Sequence, residues 1–185
     1  MTTVPSQQLW RGFHWSFFID IQGLLICLQR FEWHLTQGRL KQAQTELETA
    51  ESLMLASSAA MALCGSFSRT DYECQVRPSM SPPHVQSDDF SGLMSWEHAA
   101  LMQVWKRMRQ LFQDLPAALQ PQHERFVQAY LRLARSHREV CEKFGGAEGG
   151  SLRYERTSAV ETLDKFRQNR RSWIDPAHHV PDELI

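Results

Sequence analysis

The sequence predicts an all-α fold, a helical bundle forming a single domain over residues 1–185. Two features carry that expectation. Apolar residues return at steps of three and four through most of the chain, the period of an amphipathic helix, and no segment alternates in the manner of a half-buried strand. With 185 residues, 42% of them hydrophobic, there is enough apolar side chain for one sizeable core and therefore one domain.

The first long segment, about Trp15 to Leu35, is apolar on nearly every side, with Phe17, Phe18, Ile19, Ile21, Leu24, Leu25, Leu28 and Phe31. A helix of that kind belongs at the centre of a bundle. After Gly38 a second segment repeats apolar or small residues as Leu40, Ala43, Leu47, Ala50, Met54, Ser57, Met61 and Cys64, the pattern of a seam between packed helices. Residues 67–92 gather proline, serine and turn formers without a sustained period, and read as a long loop. Loops of that length are usually functional.

A third helix starts at Ser95, a suitable N-cap, and carries Leu101, Val104, Trp105, Met108, Leu111 and Phe112 on one side. The fourth starts near Pro121 and strings Phe126, Tyr130, Leu133, His137, Val140 and Phe144 along one stripe, so His137 points into the core. Residues 145–157 form a glycine-rich loop. Ser158 and Glu161 then make a capping box for a last helix bearing Val160, Leu163 and Phe166, which Pro176 stops ahead of a tail, residues 176–185. The basic run "KFRQNRR" on that helix reads as a solvated face.

Charge and cysteine usage exclude several classes. Twenty basic against 21 acidic residues leave a formal charge of −1, which offers no field for nucleic acid or an anionic membrane. The most apolar stretch, "WSFFIDIQGLLICL", is too short to span a bilayer and contains Asp20 and Gln22, so no transmembrane helix is expected. The N-terminus lacks the basic region, apolar run and cleavage site of a signal peptide, which makes the cytoplasm the expected compartment. Cys27, Cys64, Cys74 and Cys141 are scattered without a C-x-x-C, removing the signature of zinc ribbons and dithiol redox centres.

A histidine in a bundle seam is either a hydrogen-bonded core residue or a metal or haem ligand, because bundle cores are where such sites are built. None of the eight histidines has a glutamate three residues before it, which removes the Glu-x-x-His pair of di-iron proteins, and no two share a helix face at zinc-ligand spacing. Haem needs only one proximal protein ligand. The glycine loop after His137 would let backbone approach a flat cofactor or substrate closely.

On these segments the chain resembles the haem-binding superfamily of tryptophan 2,3-dioxygenase and indoleamine 2,3-dioxygenase. "LARSHREVCEKFG" followed by "GAEGGS" is similar to the family's proximal-histidine helix and its downstream Gly-Thr-Gly-Gly-Ser/Thr motif. "FFIDIQGLLICLQRFEWHL" resembles the distal-side helix, with Gln22 on the family glutamine and Ile21 where tryptophan dioxygenases carry a histidine. "MSPPHVQSDDFSGLMSWEHAALMQ" is similar to the Met-Ser-Pro segment and the small residues after it, with Ser91, Gly92 and Ser95 on those positions.

The resemblance implies a haem b iron held by His137, a cofactor site including Trp15, Phe18, Ile21, Gln22 and Cys141, and a substrate side closed by Gly149, Gly150 and Ser151. The arginine that pairs with the substrate carboxylate in the family falls on Ala99, and the loop threonine near the ammonium falls on Glu148. Losing a cation and gaining an anion implies a substrate other than free tryptophan, better an aromatic amine or an amino acid held differently. Trp96 and His98 are further candidates for the pocket.

The expected function is thus a haem-dependent oxygenase using dioxygen or peroxide on an indole or another aromatic small molecule. A haem sensor or carrier without turnover, and a cofactor-free helical interaction protein, are the alternatives. The apolar first helix and the oligomeric habit of the dioxygenases imply a homo-oligomer, dimer or tetramer.

Overall fold

The computed structural model describes residues 4–86, 95–145 and 159–177, and among these every regular element is helical, as expected. Five long helices make the bundle: α1 (Ser6–Thr36), α2 (Leu40–Cys64), α4 (Trp96–Gln113), α5 (Gln120–Gly145) and α6 (Ala159–Ile174). Between α2 and α4 lies a short α-helical turn, α3 (Arg69–Asp71), running on into a π-turn at Tyr72–Val76 and a 3₁₀ turn at Arg77–Met80. No single helix among the described residues is long and apolar enough to cross a membrane.

α1 and α2 form an antiparallel hairpin reversed at Gly38, whose φ of 68° puts it in the left-handed region that favours glycine. The α2 seam occurs from Ala43 onward: Ala43, Leu47 and Ala50 are fully buried, with Met54, Ser57 and Cys64 nearly so and Met61 half-buried, whereas Leu40 at its start is exposed. Its small residues let neighbouring helices approach closely. Ser58 of α2 meets Ser136 of α5 with hydroxyl oxygens 3.0 Å apart, and a methyl group on Gly65 would come within 2.9 Å of Val140. Phe31, Phe112 and Phe126, from α1, α4 and α5, stack at the centre, their rings 6.0 and 6.2 Å apart. His123 lies flat on Phe112 and holds the Ile174 carbonyl at 2.6 Å, tying the end of α6 to α5.

Two expectations change. α1 is not buried all round: Trp15, Ile19, Ile26 and Trp33 are 70%, 63%, 57% and 50% exposed and share one outer face of the helix. Only the face of Ile21, Leu24, Leu28 and Phe31 meets the core, because too few helices surround α1 to cover the rest. Within the expected loop 67–92, the described part is helical through Met80. Phe67, Val76 and Met80, with Tyr72, pack on Val140 and Phe144 in a second cluster, and Tyr72 stacks on Phe144 at 4.4 Å. Prolines obscured a helical spacing that burial against α5 stabilises.

Candidate functional site

The apolar stripe of α5 passes from the dry core at Phe126 to the second cluster at Val140 and Phe144, and between them it borders a cavity of about 240 Å³. Tyr130, Leu133, Ala134, His137 and Cys141 form that wall. Phe13, His14, Phe17, Phe18 and Ile21 of α1 face it, Met54, Met61 and Cys64 of α2 border it, α4 contributes His98, Met102 and Trp105, and α6 contributes Leu163, Phe166 and Arg170. The enclosure is largely aromatic and aliphatic with a few polar groups, the usual composition of a small-molecule site.

His137 is the most strongly perturbed base in the wall. Burial, reinforced by the charge of Arg170 and by His14 and His98, lowers it to about 4, so the imidazole is neutral near pH 7 and keeps a lone pair. His14 is lowered too, by burial, against its hydrogen bond to the backbone. Since a carbonyl only accepts, His14 Nδ1 donates to Trp10 O at 2.8 Å, leaving Nε2 as its lone-pair nitrogen. Burial raises the Cys64 thiol to about 12 and the Cys141 thiol, one turn beyond His137, to about 11, so both are protonated thiols.

At the end of the cavity toward α4 and α6, Arg170 Nη2 donates to His98 Nε2 at 2.9 Å, and the guanidinium lies 5.1 Å from the centre of the Phe166 ring. No carboxylate among the described residues forms an ion pair with it. Burial lowers its pKa, which for a guanidinium leaves the charge in place, while Tyr130 raises it. Tyr130 OH and Trp105 Nε1, in residues 3% and 2% exposed, have no well-formed hydrogen bond among the described residues. Burial pushes the Tyr130 phenol up to about 12, against the pull of Arg170.

The structure brings together His137, Cys141, Phe18, Ile21 and His98 from the expected site. It separates others. Trp15 borders a neighbouring cavity, with Trp10, His84 and Val85, because its side chain leaves α1 on the outer face. Gln22 is on the surface, bonded to Glu97 at 3.2 Å. Ser95 caps α4, its hydroxyl accepting from His98 N at 3.2 Å, rather than lining the cavity. Ala99 is exposed on the far side of α4 and Trp96 is 77% exposed, so the position carried over for a carboxylate-binding arginine does not reach the cavity. Ser91, Gly92, Glu148, Gly149, Gly150, Ser151 and the capping residue Ser158 lie outside the described residues.

His14 and Arg170 were missed, yet both had a signal. Extending the first helix back by one turn puts His14 four residues before Phe18 on the inner face. Arg170 continues the stripe of Leu163 and Phe166, so "KFRQNRR" is not uniformly a solvated face: Arg167 is exposed, whereas Arg170 turns inward.

The family profile described as SfmD 3-methyl-L-tyrosine peroxygenase matches residues 2–125. The chain belongs to this peroxygenase family. A 3-methyl-L-tyrosine peroxygenase of Streptomyces lavendulae is 28% identical over 166 residues, which cover 88% of this chain and 45% of the relative. The chain therefore spans less than half the length of that curated peroxygenase. No solved structure matches it. Within the family match lie α1, α2 and α4, which supply His14, Phe18 and His98; His137, Cys141 and Arg170 lie beyond it.

Proposed function

We propose that this chain forms a haem-binding oxygenase domain of peroxygenase type, inserting one oxygen atom into the aromatic ring of a tyrosine-like amino acid or a close derivative. The observation that carries the reading is a neutral, half-buried His137 lining an aromatic-walled cavity with His14, in a chain of a peroxygenase family. The net reaction balances with peroxide as oxidant: an aromatic C–H and H₂O₂ become a phenol and water. The resemblance to the tryptophan dioxygenases belongs to this proposal as its finer form, in which dioxygen would be the alternative oxidant.

The donor set fits haem. His137 offers an uncharged imidazole, the state that ligates iron, and Arg170 is a cation suited to a propionate. When bound, haem would supply the activation of the O–O bond. The protein's own contribution is to exclude water with Phe13, Phe17, Phe18 and Phe166, to hold the ring flat among them, and to keep a lone pair at His14 Nε2 that can take a proton from a bound phenol or peroxide. The cavity lies below the roughly 300–1,000 Å³ usual for small-molecule sites, so a macrocycle enters only if a wall parts. α6 packs chiefly on α4 and α5, and α4 chiefly on α1 and α6, so these two helices form the side of the enclosure held by the fewest neighbours among the described residues.

Protein produced with adequate haem should show a Soret band that His137→Ala abolishes while circular dichroism stays helical. Soret absorbance and spin state unchanged in that variant would remove His137 as the ligand. Peroxide-dependent hydroxylation of 3-methyl-L-tyrosine distinguishes an enzyme from a haem carrier. The outer stripe of Trp15, Ile19, Ile26 and Trp33 supports self-association of two or more copies, and light scattering of the haem-loaded protein at micromolar concentration tests it.

A further inference from the structure

Arg170, Tyr130 and Trp105, from three helices, converge at one end of the cavity with polar capacity left over among the described residues. Arg170 is a cation drawn into an apolar enclosure with no carboxylate among the described residues to neutralise it. A guanidinium drawn out of water is disfavoured unless a counter-charge accompanies it. His98 accepts one of its N–H groups and fixes the side chain, and Phe166 supports the guanidinium, but neither carries a negative charge. Beside it, among the described residues, Trp105 Nε1–H has no hydrogen-bond partner and Tyr130 OH, drawn toward Arg170, has none of good geometry; their rings pack edge to face at 5.3 Å. Buried polar groups are rarely left in this state unless water or a ligand completes them.

We propose that Arg170, assisted by Tyr130 and Trp105 and oriented by His98, forms a carboxylate-binding subsite of this cavity. The guanidinium supplies a planar, two-pronged donor matched to a carboxylate, and the phenol and indole are neutral donors to its remaining lone pairs. Two sources present this chemistry: the α-carboxylate of an aromatic amino acid and the propionate of a haem. The assignment rests on the proposed oxygenase reading for the identity of those ligands and reverses the expectation drawn from Ala99. A carboxylate-bearing substrate is favoured over its amine, because the cation lies on α6 instead of α4.

The test uses the full chain, with and without added haem, and reads binding by calorimetry and by Soret titration. 3-Methyl-L-tyrosine, L-tyrosine, L-tyrosine methyl ester and tyramine are the small probes; haem and its dimethyl ester are the large ones. An amino-acid site predicts that L-tyrosine and its 3-methyl derivative bind at least tenfold more tightly than the ester and tyramine, that Arg170→Gln removes this difference, and that Arg170→Lys restores part of it. A propionate site predicts the same pattern between haem and its diester, with the small probes indifferent to Arg170. If Arg170→Gln fails to fold, the acid-against-ester comparison on the wild type decides instead. Equal binding of acid and ester in both ligand series overturns the subsite. Failure of the oxygenase reading shows separately, as absent hydroxylation with the acid preference retained.

Discussion

Along α5, Phe126 and His137 lie about three helical turns apart on one apolar stripe and meet opposite surroundings. Phe126 is fully buried and packs against Phe112 in a region filled by side chains from α1, α2 and α4. His137 borders an open volume, although the stripe holding it has the same spacing. The two halves differ in what completes them. Near Phe126, Phe31 and Phe112 reach the axis and close it; near His137, Ala134 is short, and the polar ends of Tyr130, Trp105 and Arg170 find few partners among the described residues. A bundle can be closed at one end and left open at the other without any change in secondary structure.

The largest expected contrast lies in aromatic truncation. Phe112→Ala removes a fully buried ring that touches Phe31, His123 and Phe126, and should cost about 3–5 kcal/mol. Phe166→Ala enlarges a space that already exists and should cost less than half as much. Urea unfolding of both variants measures the difference, and equal losses would mean the cavity is filled in solution by rearranged side chains.

Overpacking sharpens the same contrast from the other side. Ala50→Leu pushes extra carbon into a position with no exposed surface and should destabilise by about 1–3 kcal/mol. Ala134→Leu projects into the cavity and should leave the thermal midpoint unchanged or raised while blocking ligand. A comparable effect is expected at the far end of α6, where His123→Leu leaves the Ile174 carbonyl unpaired, at a cost of about 1–3 kcal/mol. Loss of hydrogen-exchange protection in the last turn of α6 would accompany it.

A further effect is pH-dependent. In the haem-free protein His137 is depressed to about 4 in the folded state and returns to about 6.5 on unfolding, so below 6.5 the unfolded chain binds the extra proton first. Stability contributed by the neutral imidazole is present above 6.5 and drains away as pH falls toward 4. His137→Leu should flatten that limb of the stability curve; an unchanged limb would assign the acid sensitivity to other groups, with His14 the next to examine.

Much of the bundle was legible from spacing. The α2 seam, the Ser95 cap and the α5 stripe follow from the period of apolar residues and from one side-chain oxygen, which are local properties. The cavity was legible only through single residues: His137 stood out as a titratable group on an apolar stripe, whereas Arg170 was hidden in a basic run and His14 lay ahead of the expected helix start. Tyr130 and Trp105 looked like ordinary core aromatics, because an unsatisfied hydroxyl or indole N–H is a relation to neighbours distant in the chain.

By itself, then, the sequence determined the helical class, the approximate helices and the inward face of each, since backbone hydrogen bonds within a helix and the segregation of apolar side chains depend on residues a few positions apart. The tertiary structure decided which stretches of those faces pack tightly and which enclose a space, and that an arginine of the last helix, not a position on α4, brings charge into it. Volume and desolvation are set by side chains converging from five helices, and no local pattern records how completely their sum fills the interior.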